Sequence, residues 1–119
     1  MYFDETKDGD VAVIAVNGRW DNLVPTEFED RLMALIQSGF HRVCIDCATL
    51  TYLGTTALKA FLVAAKQLAA VGGKMAISNL GANPHQVFEA VGYTKIMTLV
   101  PTRGDALRDL RADASLIVA

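Results

Sequence analysis

The run Arg42-Val-Cys-Ile-Asp-Cys-Ala-Thr-Leu-Thr-Tyr-Leu-Gly-Thr-Thr-Ala-Leu58 most narrows the folds open to this chain, because an apolar β-branched segment passes directly into an amphipathic one. Val43 to Cys47 is nearly continuous in apolar residues, the pattern of a central strand covered on at least one face. Asp46 is the exception. From Thr55 to Val71, Leu58, Phe61, Leu62, Ala65, Leu68 and Ala69 recur at helical spacing, and Gly72-Gly73 closes the helix. Lys59, Val63 and Lys66 fall on a mixed stripe expected to be exposed. The first N–H groups of such a helix have no internal partners and carry the positive end of its dipole, which stabilises an anion placed there. Thr55 and Thr56 stand at that point and are candidates for a phosphoryl switch.

The same alternation runs through the rest of the chain. Tyr2 to Lys7 and Val11 to Asn17 flank the turn Asp8-Gly-Asp10, which predicts a hairpin with its exit at Gly18. Pro25 suits the first turn of a helix, and Phe28, Leu32, Leu35 and Ile36 continue it to Ser38-Gly39. Lys74 to Ser78 reads as a strand, Pro84 to Val91 as a short helix, Ile96 to Val100 as a last strand. A final helix starts near Asp105 and turns Ala106, Leu107 and Leu110 inward. The order β-β-α-β-α-β-α-β-α predicts one α/β domain over residues 1–112, a mostly parallel mixed sheet with right-handed crossovers and about four helices. Residues 113–119 form a tail that ends apolar.

The 119 residues hold 11 basic and 13 acidic side chains, a net charge of −2, which gives no broad electrostatic hold on nucleic acid or anionic membrane. At 52% hydrophobic the chain is expected to bury a large core, yet Lys66 interrupts its longest apolar stretches well short of the roughly 18 residues of a spanning helix. The start Met1-Tyr-Phe-Asp-Glu5 has neither a basic nor an apolar signal region, so a cytoplasmic location without membrane insertion is expected. Cys44 and Cys47 have C-x-x-C spacing, but on a strand residues three apart point to opposite faces, and no second ligand pair exists. They read as small buried hydrophobes. No phosphate-binding loop or dinucleotide fingerprint is present, and Gly72-Gly73 ends a helix instead of opening one. No cofactor or metal is expected.

On these residues the chain resembles the STAS domains, the family of bacterial anti-sigma factor antagonists and of regulatory domains on sulfate transporters. The resemblance rests on Val16-Asn-Gly-Arg-Trp-Asp21, and on Val43 to Asp46 followed by Leu50-Thr-Tyr-Leu-Gly-Thr-Thr-Ala-Leu58. It continues through Ala70-Val-Gly-Gly-Lys-Met-Ala-Ile-Ser-Asn-Leu80 and Val87-Phe-Glu-Ala-Val-Gly-Tyr-Thr-Lys-Ile96. It implies an antagonist whose Thr55 matches the hydroxyl phosphorylated by a GHKL-type anti-sigma factor that is itself a serine kinase. The unphosphorylated form binds the kinase and releases the sigma factor; a PP2C-type phosphatase restores it after phosphorylation. The chain departs from the pattern at Gly54, where an aspartate is usual, at Thr55 and Thr56, which replace serines, and at Ala57, which replaces glycine. The missing carboxylate removes a contact to the kinase or a positioner of the hydroxyl. A non-phosphorylated interaction subunit, for instance of a lipid-transport ABC ATPase, is the alternative.

The partner-binding residues expected are Trp20, Asp21, Leu23, Gly54, Thr55, Thr56, Lys59, Val63 and Lys66, with Thr55, and secondarily Thr56, as the phosphorylated position. Each has a plainer reading. Either threonine can cap the helix, worth about 1 kcal/mol, and Trp20 can close the core instead of meeting a partner. Asp21 and Asp46 lie toward one sheet edge, but nothing marks them as an acid–base pair, and His41 and His85 read as surface residues. The chain is expected not to be an enzyme.

Overall fold

Eight elements follow one another in the computed structural model, which describes residues 3–20, 26–80 and 98–118, and of residues 26, 55, 56, 58 and 112–118 the backbone alone. They are β1 (Phe3–Asp8), β2 (Val11–Trp20), α1 (Thr26–Gln37), β3 (Arg42–Leu53), α2 (Thr55–Ala70), β4 (Lys74–Ser78), β5 (Thr98–Val100) and α3 (Arg103–Val118). The strands form one sheet in the order β1-β2-β3-β4-β5. β1 pairs antiparallel to β2, and every later pair is parallel. This is the expected α/β architecture, with three helices among the described residues. The helix expected from Pro84, and residues 96 and 97 of the last strand, lie outside them.

Because side chains alternate across a strand, each strand serves two layers. Ala12, Ile14 and Val16, Val43, Ile45 and Cys47, and Met75 and Ile77 face α1 and α2, meeting Phe28, Leu32, Leu35, Phe61 and Leu68. Val11, Val13, Cys44 and Ala76 face the other way, onto Ala106 and Leu110 of α3. Cys44 and Cys47 are free, buried and on opposite faces of the sheet.

Four differences from expectation concern where elements end. β2 does not stop at Gly18. That glycine takes φ +77°, a conformation costly to other residues, and pairing runs through it, with Gly18 opposite Leu50, Arg19 opposite Tyr52 and Trp20 opposite Leu53. Register shifts there mark a bulge, and β3 extends to Leu53 because the prolonged β2 gives it a partner. α3 starts two residues early, at Arg103, where Thr102 Oγ1 accepts the Asp105 N–H at 3.1 Å. Its helical backbone then continues through the segment read as a tail, to Val118.

The end of α2 is as expected. The Gly73 N–H donates to Leu68 O at 2.7 Å and the Gly72 N–H to Ala69 O at 3.1 Å, with Gly72 at φ +76°. At Gly73 a Cβ would lie 2.2 Å from His41 O, so only glycine lets β4 begin beside β3, where the Lys74 N–H donates to the same oxygen at 2.8 Å.

Candidate functional site

The turn between β3 and α2 sits at the carboxyl edge of the parallel strands, where open α/β sheets place their functional loops. The Gly54 N–H donates to Trp20 O at 2.6 Å, tying this turn to the end of β2. Gly54 is buried, extended at φ −87° and ψ 174°, and is itself the N-cap residue of α2. The threonine cap considered from sequence is thereby corrected: the cap position holds a residue with no side chain, and Thr55 and Thr56 are the first two helical residues. α2 also has no acidic residue in its first turn, so no carboxylate of its own offsets the dipole there. The side chains of Thr55 and Thr56, and the whole of Asp21 and Leu23, lie outside the described part of the structure.

Trp20 is corrected as a contact residue. It is fully buried, its ring edge-on to Phe28 at 4.9 Å and 5.9 Å from Phe61, and its Nε1–H donates to Asn17 O at 3.0 Å. The continuation of β2 past Gly18 carries it inward, under the start of α2. In its place, Tyr52 is exposed on the β3 extension with the Arg19 guanidinium stacked 4.1 Å from its ring centre. Lys59, Val63 and Lys66 are all exposed along α2.

A polar cluster that the sequence reading missed lies on the α3 side of the same edge. Asp46 is 5% exposed. Its Oδ1 accepts from Asn79 Nδ2 at 2.8 Å and from the Ala48 N–H at 3.1 Å, and its Oδ2 accepts from Arg103 Nε at 2.9 Å and Nη2 at 2.8 Å. Burial pushes the Asp46 carboxyl up, but the bonds from Asn79, Ala48 and Arg103, with the Arg103 charge, outweigh it and hold the group below its ordinary value. A carboxylate so stabilised, with both oxygens engaged, is a structural anion and not a base for catalysis. Two signals pointed here. Asn79, directly after β4, adopts φ +57°, which asparagine tolerates, and Arg103 opens a helix, where a cation opposes the dipole unless something neutralises it.

The cysteines have no reactive environment. Burial raises Cys44, against a long contact of 3.8 Å between its Sγ and Ser78 Oγ. Burial, with Asp46 and Cys44 nearby, pushes Cys47 up to about 12. Among the described residues no cluster of three or more His, Cys, Asp or Glu could hold a metal, and no helix is long and apolar enough to cross a membrane.

The geometry has counterparts in known proteins. The STAS domain family model matches residues 2–106. A Bordetella bronchiseptica protein assigned as the anti-sigma factor antagonist BtrV is 31% identical over 77 residues, which is 65% of this chain and 66%, just under two thirds, of that protein. An anti-sigma factor antagonist from Mycobacterium paratuberculosis superposes with a TM-score of 0.80 at 23% identity, covering 92% of each chain. The Bacillus cell fate determinant SpoIIAA in its phosphorylated form superposes with a TM-score of 0.73 at 18% identity, over 90% of this chain and 97% of its own. At these identities the two solved structures show a shared fold.

Proposed function

The chain belongs to the STAS domain family, and from that premise we propose that it is an anti-sigma factor antagonist, a regulatory binding protein that catalyses nothing itself. The observation that carries this reading is the named relative, whose similarity covers 65% of the chain, taken with a buried extended turn at Gly54 that starts α2 at the sheet edge. The partner is an anti-sigma factor of the GHKL serine-kinase type, met in the cytoplasm through the Asp21 loop, the Gly54 turn and the stripe Lys59, Val63 and Lys66. Phosphate on Thr55, or secondarily Thr56, adds about −1.5 to −2 charge at that contact and releases the kinase by repulsion and lost fit, with no refolding of the domain. A PP2C-type phosphatase reverses it.

Incubation with the anti-sigma kinase of the same cell and ATP, followed by mass spectrometry, tests both levels. A stable complex with phosphate at Thr55 supports the whole reading. A complex without phosphate removes the switch and leaves a binding module, and no complex removes the antagonist reading.

Gly54 favours a second reading. A turn that lacks the usual carboxylate serves a constitutive interaction subunit, such as one bound to a lipid-transport ATPase, where no phosphoryl transfer is needed. In that case Thr55→Ala and Thr55→Glu differ in binding through packing alone, equally with and without ATP.

A further inference from the structure

α1 and α2 are successive crossovers between parallel strands, so they lie side by side on one face of the sheet and point the same way. Between them opens a groove of about 500 Å³. Small residues, Ala60 and Ala64, line it on the α2 side, while Met33 and Val63 flank it at 38% and 52% exposure. Its α1 rim carries Glu29 and Asp30, its α2 rim Lys59, all exposed. Among the described residues these three charges make no hydrogen bond or ion pair, so the groove has one acidic edge, one basic edge and apolar ground between.

We propose that this groove is a self-association surface, covered by the same groove of a second copy about a two-fold axis that runs along it. Rotation about such an axis lays α1 of one copy over α2 of the other and leaves each residue at its own axial level. Glu29 and Asp30 then meet Lys59 of the second copy, Lys59 meets the second copy's Glu29 and Asp30, and Met33 packs on Val63 twice. A face with opposite charges on its two edges is its own complement under this operation. A helix from another protein needs a cation opposite Glu29 and Asp30 and an anion opposite Lys59 by coincidence; a second copy carries both already.

The contact is small. At 1.5 Å per residue α1 is about 18 Å long, and two adjacent helices are about 20 Å wide, a footprint of about 360 Å² per copy. Stable complexes bury about 800 Å² per partner, so this dimer is weak and sensitive to salt. It hides Lys59 and Val63, so self-association competes with any partner that uses the α2 stripe, whether or not that partner is an anti-sigma factor.

Sedimentation equilibrium of the full chain from about 10 μM to about 1 mM tests the pairing, since so small an interface dissociates in that range. At low salt the average mass rises above 12.8 kDa toward twice that value, and it returns to the monomer in about 1 M salt. Lys59→Glu makes both edges acidic and Glu29→Lys with Asp30→Lys makes both basic. Each variant alone stays monomeric, and an equimolar mixture of the two associates at least as well as the unmodified chain. A native chain that stays monomeric at low salt, or a mixture that does not pair, overturns the proposal. Should a charge-reversed variant fail to fold by circular dichroism, Val63→Asp decides instead: it abolishes association of an otherwise native chain, and persistence of the dimer overturns the pairing.

Discussion

Replacing Asp46 by asparagine keeps the shape of the side chain and removes its charge at a site that is 5% exposed. The amide oxygen can still accept from Asn79 and the Ala48 N–H, but the amide nitrogen then faces the two Arg103 donors, which lie 2.9 and 2.8 Å from Oδ2. A bond to a charged group is worth about 1.5–3 kcal/mol when dry. The Arg103 side chain is 45% exposed, so solvent screens the pair and its loss counts for about 1 kcal/mol. The opposed donors add about 1 kcal/mol, giving about 2 kcal/mol in all. For a domain of 119 residues, each kcal/mol moves the midpoint by about 4 °C, so Asp46→Asn lowers Tm by about 8 °C.

Urea and thermal unfolding followed by circular dichroism at pH 7 measure this, and a cycle with Arg103→Gln isolates a coupling of about 1 kcal/mol. The pH dependence has a definite sign. The folded carboxyl ionises below the ordinary 3.8, so its contribution is complete above that value and is lost as pH falls through the lower folded one. The gap between the native chain and Asp46→Asn is therefore constant from neutral pH down to about 5 and closes below about 3.8. A loss under about 0.5 kcal/mol at pH 7, or a gap that persists in acid, refutes the picture of a buried ionised hub.

Trp20→Ala removes the largest fully buried member of the aromatic cluster and costs about 3–5 kcal/mol, whereas the exposed Val63→Asp changes stability by no more than about 0.5; chemical denaturation compares them directly. Cys44 and Cys47 do not react with an aromatic disulfide reagent in the native chain at pH 8, and both react in denaturant; a native thiol that labels quickly contradicts the burial described. Gly54→Asp supplies the absent cap and a favourable charge at the α2 dipole, raising stability by about 0.5–1 kcal/mol and, under the proposed function, speeding phosphate transfer to Thr55 in a kinase assay. A slower transfer argues that the glycine suits this chain's own kinase.

The sequence alone was enough for the order of the described strands and helices, the antiparallel hairpin at one edge, and the glycine pair that ends α2, since periodicity and turn chemistry are local. The exposed stripe of Lys59, Val63 and Lys66 was legible for the same reason, as was the burial of the cysteines on opposite faces. Tertiary structure alone decided the fate of Trp20. β2 runs on through Gly18 because β3 pairs with it as far as Leu53, and strand alternation then puts Trp20 on the same core face as Ala12, Ile14 and Val16. It alone brought Asn79 and Arg103, 33 and 57 residues away along the chain, onto the carboxylate of Asp46. And it alone set Glu29 and Asp30 across a groove from Lys59, because spacing along one helix says nothing of which helix lies beside it.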